Sequence, residues 1–330
     1  MRDAHQLALL TAAKRLGIDV EDRLDDWGID AVQYRFADRA VVIIDGRINH
    51  GLSFTAAQLC LSKPATRSIL AELGLPVPVA VLLPDDSHDA LASLIDSGPV
   101  VCKPPQGEWG TGVAMDLSSV DAVLEQLAHL GGVALVEEQV EGKDLRIQAL
   151  GGRFQVACIR EPASVIGDGN SRVSALIQAR AQQVARLNPD NRLVVDVVTE
   201  RLLTQQGLTL DDIPSPGRQV MLKRISNLSQ GGRAIDVTEE VHPVYREWTA
   251  AIGDRLGLDF FAIDVVTPDP TLSPAESPAW ILEVNAPCQW LAHTFSERRS
   301  HDLPTKILCH ILQLPQNLDD IDYASCSSTT

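Results

Sequence analysis

Short apolar runs alternate with helix-like stretches through the middle of the chain, and this alternation predicts an α/β architecture. Strands are predicted at 79–83, 100–103 and 133–137, and helices at 89–95 and 120–130. A hairpin over 145–159, with Gly151 and Gly152 at its turn, adds antiparallel pairing. This hairpin argues against a purely parallel doubly wound sheet, and the predicted fold class is mixed α/β, or α+β.

The regions on either side give less regular patterns. The apolar run 41–44, the turn pair Asp45-Gly46 and the short run 47–49 predict a hairpin near the N-terminus. A single helix is predicted over 55–73, ended by Gly74. Further helices are predicted at 173–187, 243–256 and 304–312, and further strands at 219–222, 260–267 and 280–284. Residues 268–278 read as a surface loop, because they carry four prolines and no periodicity.

Composition and charge narrow the classes of function. The 330 residues are 45% hydrophobic, so the chain is long enough for two cores or one elaborated core. Its net charge of −16 gives an overall field that repels nucleic acid. No apolar run approaches the roughly 18 residues of a membrane helix, and the N-terminus lacks the apolar block of a secretory signal. The six cysteines lie far apart, which favours reduced thiols over a zinc site or a disulfide framework. We expect a cytoplasmic protein that acts on small molecules and binds neither nucleic acid nor a membrane.

A glycine-rich loop follows the predicted strand at 100–103. Lys103 ends the strand, and Gly107, Gly110 and Gly112 follow within the next nine residues. Glycines let backbone N–H groups approach an anion, and a lysine at the strand end offers a cation to the same phosphates. The loop matches neither the P-loop nor the Rossmann template. A phosphate-binding loop and a flexible hairpin with an ordinary surface lysine both remain open on this evidence.

Acidic and amide side chains interrupt two apolar strands near the C-terminus. Asp264 lies in the centre of the apolar run 260–267, where an unpaired carboxylate is costly to desolvate. Period-2 alternation places Glu283 and Asn285 on one face of the next strand. Two carboxylates and an amide oxygen on neighbouring strands are typical of a Mg²⁺ site. The alternative is that Asp264 pairs with a buried arginine and Glu283 caps a loop.

Arg146 lies on the first arm of the predicted hairpin over 145–159, and Arg160 directly follows its second arm. Two arginines that point into one cleft could hold a carboxylate in a bidentate manner. The alternative for each is a solvated or salt-bridged surface group.

Six motifs in order now support a resemblance. They are the segments 61–78, 101–112, 136–146, 160–169, 227–243 and 281–287, of which the last three are the most specific. Over about residues 59–314 the chain resembles the ATP-grasp carboxylate–amine ligases. It is most similar to the ATP-grasp part of cyanophycin synthetase and of bifunctional glutathione synthetases. The resemblance implies two α+β lobes that clasp ATP.

The resemblance also implies roles for individual residues. ATP phosphates would contact Lys63 and Lys103 under a mobile loop that contains Gly107, Gly110 and Gly112, and the adenine and ribose would lie against Glu137, Glu138 and Val140. One or two Mg²⁺ ions, with Mn²⁺ as an alternative, would bind Asp264, Glu283 and Asn285. The substrate and the charged intermediate would contact Arg146, Arg160, Arg224, Asn227, Gly231 and Gly232. The catalytic set would be Arg146, Arg160, Asn227 and Lys103.

The expected domains are a reduced pre-ATP-grasp region at 1–58, an N-terminal lobe at 59–135, a C-terminal lobe at 136–315 and a flexible tail at 316–330. We expect neither the Mur-ligase-like domain of cyanophycin synthetase nor the glutamate–cysteine ligase domain of the bifunctional enzymes in this protein. The first substrate would then bind differently, or a second subunit would complete the site in a homodimer. Cys288-Gln289-Trp290 replaces the glycine more common after this motif, which leaves acceptor specificity open.

The resemblance implies an ATP-dependent, ADP-forming ligase that makes an amide or peptide bond on an amino-acid or peptide substrate through an acyl phosphate. An ATP-grasp phosphotransferase and a non-catalytic nucleotide-binding protein are the two alternatives.

Overall fold

The structure, a computed structural model, describes residues 2–84, 86–107, 110–187, 193–224, 226 and 228–314. The mixed α/β fold class is confirmed: the strands form four antiparallel sheets, and helices pack against them. No helix in the described part of the chain has the length and apolarity to span a bilayer. The domain boundaries stay predictions, and the predicted tail at 316–330 lies outside the described residues.

The first sheet is built from the N-terminal residues. Its strands β1 (Asp19–Asp22), β2 (Ala31–Phe36) and β3 (Arg39–Ile44) lie in that order, and the helices beside it are α1 (Ala4–Arg15) and α2 (Leu24–Trp27). Leu9 and Ile43 share a core with Leu308 of the C-terminal helix α10 (Leu303–Leu312). The N-terminal sheet is therefore packed against the C-terminal part of the chain.

The predicted hairpin near the N-terminus is wrong in its pairing. β3 pairs with β2 over six residues, whereas Asp45-Gly46 forms a tight turn with the single bridge Ile44 to Arg47. A Cβ at Gly46 would lie 2.4 Å from the backbone nitrogen of Gln6, so this turn packs directly against α1. The turn therefore lies at the contact between the first sheet and α1.

The predicted helix over 55–73 is two helices, α3 (Phe54–Leu61) and α4 (Lys63–Glu72). Ser62 separates them in an extended conformation, and its side chain accepts a hydrogen bond from the backbone N–H of Ala65. Pro64 lacks the N–H that a continuous helix would need, but it is well tolerated in a first turn. The break places Lys63 at a helix N-terminus.

The second sheet carries the glycine-rich loop. Its strands are β4 (Ala80–Leu83), β5 (Val100–Lys103), β6 (Ala114–Leu117) and β7 (Ala134–Glu138), in the order β4-β7-β5-β6. Helices α5 (His88–Asp96) and α6 (Val120–His129) cover an apolar core that includes Leu91, Cys102 and Val123. The loop runs between β5 and β6.

The third sheet is the largest and carries the acidic residues. Its strands are β8 (Lys143–Leu150), β9 (Arg153–Glu161), β12 (Arg233–Asp236), β13 (Phe261–Thr267) and β14 (Trp280–Asn285), in the order β12-β9-β8-β13-β14. The predicted hairpin of β8 and β9 is confirmed. Ile147 and Ile263 pack in a core with Ile252 of helix α9 (Val244–Leu256), and alternation turns Arg146 and Asp264 to the other face.

A fourth, two-stranded sheet extends from β9. It pairs β10 (Ser164–Ile166) with β11 (Gln219–Met221), and it packs with helices α7 (Val173–Leu187) and α8 (Val197–Gln205). Val165, Leu203 and Leu222 lie in its small core. The predicted helix at 173–187 is confirmed.

Candidate functional site

The three predicted metal-binding residues, Asp264, Glu283 and Asn285, meet where β13 lies between β8 and β14. In the strand register Asp264 is opposite Arg146 on one side and opposite Glu283 on the other. Arg146 Nη1 donates to Asp264 Oδ1 at 2.8 Å, and Asn285 Nδ2 donates to Asp264 Oδ2 at 3.2 Å. The antiparallel pairing therefore brings the acidic, amide and guanidinium groups into one cluster.

Arg160 joins the same cluster from β9. Its Nη2 lies 3.2 Å from Asp264 Oδ1 and 2.7 Å from Asp144 Oδ1. Asp264 thus pairs with the buried Arg146, as one of the two sequence interpretations proposed, and also with the half-buried Arg160. The arginines are not solvated surface groups, since they and the two aspartates form a compact set of two positive and two negative charges.

The surroundings shift the acid strength of the two aspartates in opposite directions. Burial by itself raises the pKa of Asp264, but the charges of Arg146 and Arg160 outweigh it and hold that pKa below its ordinary value. Burial raises the pKa of Asp144, Arg160 opposes the shift, and the negative charge of Asp264 adds to it. Asp264 is therefore ionised at neutral pH.

Lys63 links the glycine-rich loop to the acidic strand β14. Its Nζ lies 3.4 Å from Glu283 Oε1 and donates to the carbonyl of Gly107 at 2.8 Å. The Lys63 backbone N–H also donates to the carbonyl of Pro105 at 3.0 Å. Glu283 thus pairs with a lysine and does not cap a loop. A cavity of about 40 Å³ lies here, with Lys63, Gly107, Glu283 and Asn285 in its walls.

Lys103 and Glu137 form a buried ion pair on neighbouring strands of the second sheet, with exposed fractions of 6% and 5%. Lys103 is therefore not an ordinary surface lysine. Glu138 Oε1 accepts a hydrogen bond from the Val79 N–H at 2.8 Å, and Val140 is half-buried nearby in sequence.

Arg67 is a charged residue near this pair to which the sequence assigned no role. Burial lowers the pKa of Arg67, whereas the charges of Glu137 and Glu138 act to raise it. The sequence feature that could have indicated Arg67 is its position four residues after Lys63. This spacing places both side chains on one face of α4.

The glycines of the loop adopt conformations that other residues rarely reach. Gly110 and Gly112 have φ values of 72° and 73°. A Cβ at Gly112 would lie 2.9 Å from Leu130 Cδ2. Gly112 therefore needs both its left-handed backbone and its missing side chain. Residues 108 and 109 lie outside the described residues.

The remaining predicted substrate residues are less connected to the Asp264 cluster. Arg224 is exposed and contacts Asp116 Oδ2 at 3.4 Å and Gln205 Oε1 at 3.2 Å, so it links β6 of the second sheet to helix α8. Gly231 and Gly232 are buried immediately before β12. Asn227 lies outside the described residues, and its predicted role stays a prediction.

The segment Cys288-Gln289-Trp290, which departs from the family pattern, connects the cluster to the N-terminal sheet. Arg146 Nη2 donates to the Gln289 carbonyl at 3.1 Å. Trp290 Nε1 donates to the Gly46 carbonyl at 3.0 Å. Because Gln289 and Trp290 are adjacent in the chain, these two hydrogen bonds connect Arg146 to the tight turn at Gly46.

A buried histidine lies beside the arginines. His293 is in the 3₁₀ turn Leu291–Thr294, and neither of its ring nitrogens has a hydrogen-bond partner among the described residues. Burial lowers the pKa of His293 to about 3, and the charges of Arg146 and Arg160 contribute in the same direction. The imidazole is therefore neutral in the folded protein at neutral pH.

This histidine predicts a dependence of stability on pH. Its folded pKa is below its unfolded value, so the stability is fully present above about pH 6.5 and is lost as the pH falls from there. We expect a slope of up to about 1.4 kcal/mol per pH unit in the free energy of unfolding, because only the unfolded chain binds the proton. Urea unfolding between about pH 6.5 and pH 5 measures this slope.

His293→Asn should reduce that slope by up to about 1.4 kcal/mol per pH unit, because the variant has no imidazole to protonate in the unfolded chain. A slope in His293→Asn equal to that of the unchanged protein would contradict the assignment of a neutral, buried His293.

The arrangement of sheets and helices is that of the ATP-grasp fold. The solved structure of a bifunctional glutathione synthetase from Pasteurella multocida superposes with a TM-score of 0.72 at 22% identity, and the match covers 94% of this chain and 43% of that chain. The ATP-grasp fold is therefore confirmed.

Curated relatives show which proteins the chain is similar to in sequence. It is 31% identical to cyanophycin synthetase of Geminocystis herdmanii over 284 residues, which are 82% of this chain and 32% of that protein. It is 29% identical over 306 residues to the glutathione biosynthesis bifunctional protein of Streptococcus thermophilus, covering 88% of this chain and 39% of that protein. The resemblance to ATP-grasp carboxylate–amine ligases is confirmed, and the chain is related to these two groups of enzymes.

The chain spans well under half the length of the curated relatives it matches, 32% and 39% in these two cases. No family model matches the chain.

Proposed function

We propose that this chain is an ATP-dependent, ADP-forming ligase that joins a carboxylate to an amine through an acyl phosphate. The observation that carries the proposal is the convergence of Lys63, Glu283, Arg146 and Arg160 around Asp264, next to the glycine-rich loop. Phosphoryl transfer depends mainly on positioning and on neutralising charge, and this cluster supplies both.

Nucleotide phosphates would bind to the two lysines. Lys63 lies between the glycine-rich loop and Glu283, and Lys103 ends the strand from which that loop begins. Glu137, Glu138 and Val140 would line the adenine and ribose pocket, as the family resemblance implies. The cavity of about 40 Å³ is much smaller than the ~300 Å³ or more of a typical ligand site, so the Gly107 segment must move to admit a nucleotide.

The oxygen donors of Asp264, Glu283 and Asn285 fit Mg²⁺, which prefers carboxylate and amide oxygens together with phosphate and water. Magnesium bound there would neutralise charge on the transferred phosphoryl group. Both carboxylates are now paired with basic side chains, Asp264 with two arginines and Glu283 with Lys63. Such pairs can exchange, since phosphate oxygens can replace the carboxylates as partners of the basic groups.

The two arginines would have different tasks. The Arg146 side chain is 9% exposed and is held by Asp264 and the Gln289 carbonyl, so it positions Asp264. The Arg160 side chain is 21% exposed, and its Nη1 makes no hydrogen bond with the described residues. Arg160 would therefore contact the substrate carboxylate and stabilise the acyl phosphate. An acyl phosphate already reacts with a deprotonated amine, so no covalent nucleophile from the protein is needed.

The activity predicts defined products. Purified protein with Mg²⁺, ATP and a pool of amino acids and short peptides should release ADP and inorganic phosphate in equal amounts, because the acyl phosphate is consumed by the amine. Coupled assays for ADP and phosphate measure both. AMP with pyrophosphate would contradict the proposal. ADP without free phosphate would indicate a phosphotransferase, and nucleotide binding without turnover would indicate a non-catalytic protein.

A further inference from the structure

A second and larger cavity lies outside the cluster just described. It has a volume of about 380 Å³ and runs between helix α7 and strand β10, beside the first residue of β12. Its apolar wall includes Val165, Ile166 and Leu176, and its polar groups include Arg180, Arg233 and Glu297. The volume is in the range of sites for small molecules, roughly 300–1,000 Å³.

Several hydrogen-bond donors of the Arg180 guanidinium have no acceptor among the described residues around this groove. Its side chain is only 13% exposed, and its Nη1 donates to Gln183 Oε1 at 3.0 Å. The distance from its Nη1 to Glu297 Oε1 is 3.7 Å, which is too long for a hydrogen bond. Its Nε is buried and has no hydrogen-bond partner among the described residues. A guanidinium with unused donors in a buried position favours an added acceptor.

The neighbouring carboxylate is already committed to another arginine. Arg233 donates from Nε to Glu297 Oε1 at 3.1 Å and from Nη2 to Glu297 Oε2 at 2.6 Å. Arg233 also donates from Nη1 to Glu161 Oε2 at 3.1 Å. Both oxygens of Glu297 therefore accept from Arg233, and Arg180 has only a longer contact with this shared carboxylate.

The electrostatics of Arg180 agree with this geometry. Burial lowers the pKa of Arg180, Glu297 opposes that shift, and the positive charge of Arg233 adds to it. An anion in the groove would remove the conflict between the two guanidinium groups.

The groove adjoins the Asp264 cluster through one strand pair. Arg233 is opposite Glu161 in the register of β12 and β9, and the next residue pair is Ala234 with Arg160. Because consecutive residues of a strand point to opposite faces of the sheet, a molecule that reaches from Arg180 to Arg160 would have to pass around the end of β9.

We propose that this groove binds a free carboxylate of an amino-acid or peptide substrate through Arg180. This inference rests on the proposed ligase function for the identity of the ligand as a substrate. The carboxylate bound by Arg180 is separate from the carboxylate that is phosphorylated beside Arg160. Ile166 and Leu176 contact the aliphatic part of the same molecule.

Binding to the full-length chain without nucleotide tests the groove directly. The probes are a pool of dipeptides with free C-terminal carboxylates and the same pool as C-terminal amides, compared by equilibrium dialysis with mass spectrometry. The unchanged protein should retain the acids about tenfold or more over the amides, as expected for a charge-assisted hydrogen bond. Arg180→Met should lose that preference, and Arg180→Lys should keep part of it.

Arg172→Met is the matched control. Arg172 directly precedes α7, its side chain is 64% exposed and it pairs with Asp211 outside the groove. This variant should keep the full preference for acids. Thermal unfolding of each variant verifies that it is folded, and the comparison of acids with amides on the unchanged protein needs no variant.

Two results would overturn the inference: equal retention of acids and amides by the unchanged protein, and an undiminished preference for acids in folded Arg180→Met. The release of ADP is measured separately. Acid binding that depends on Arg180 without any ADP release would reject the ligase proposal and leave the groove as an anion site. ADP release without a preference for acids would reject the groove and leave the ligase.

Discussion

Replacing Asp264 by alanine is expected to lower the free energy of unfolding by about 3–5 kcal/mol, because it leaves a buried charge without its partner. Asp264 is 8% exposed and accepts hydrogen bonds from Arg146 and Asn285, with Arg160 also in contact. Two guanidinium groups would then share Asp144 alone. Urea unfolding at neutral pH measures the change.

Asp254→Ala is the control for this loss. Asp254 pairs with Arg153 at 2.8 Å, but both side chains are more than half exposed, so its removal should cost less than about 1 kcal/mol. Equal losses in the two variants would show that Asp264 does not hold the arginines together.

The second large effect is expected at Glu283, where the change falls on activity. Glu283→Gln should reduce the rate of ADP release by about 10²–10³-fold, the size seen when one preorganised electrostatic group is removed. The variant keeps the shape of the side chain but removes the charge that pairs with Lys63 and that would bind Mg²⁺. Since the Glu283 side chain is 34% exposed, little stability should be lost. Initial rates with saturating Mg-ATP and thermal unfolding measure the two quantities.

Glu276→Gln provides the comparison, because Glu276 is exposed in the surface loop and bonds only to Ser273 among the described residues. It should turn over at the rate of the unchanged protein. A Glu283→Gln variant as active as Glu276→Gln would remove Glu283 from the proposed site.

Alternation along strands predicted much of the cluster from the sequence. Asp264 interrupts an apolar strand, and Glu283 and Asn285 share a face, so their proximity follows from period 2 once the strands are neighbours. The sequence could not predict the ion pairs themselves. Arg146 and Asp264 are 118 residues apart, and their contact depends on which strands become neighbours in the sheet.

Elements without an apolar periodicity could also not be predicted from the sequence. Strand β1, Asp-Val-Glu-Asp, is exposed or half-exposed at every position, so it has no apolar face to reveal it. Apolar spacing did not predict the break at Ser62, because the residues on both sides of it form helices. The local signal of the break is a capping serine with a proline in the first turn of the next helix. Arg180 and Arg233 line one groove because α7 packs against β10, and this packing was not predictable from the sequence.

The central claim is that Lys63, Lys103, Asp264, Glu283 and Asn285 surround the phosphates of one nucleotide. A crystal structure with Mg²⁺ and a nonhydrolysable ATP analogue tests it most directly. The account predicts both lysine Nζ atoms within hydrogen-bond distance of phosphate oxygens, and oxygens of the three acidic and amide side chains around the metal. Phosphates bound at another surface, with Lys63 and Lys103 still paired to Glu283 and Glu137, would contradict it.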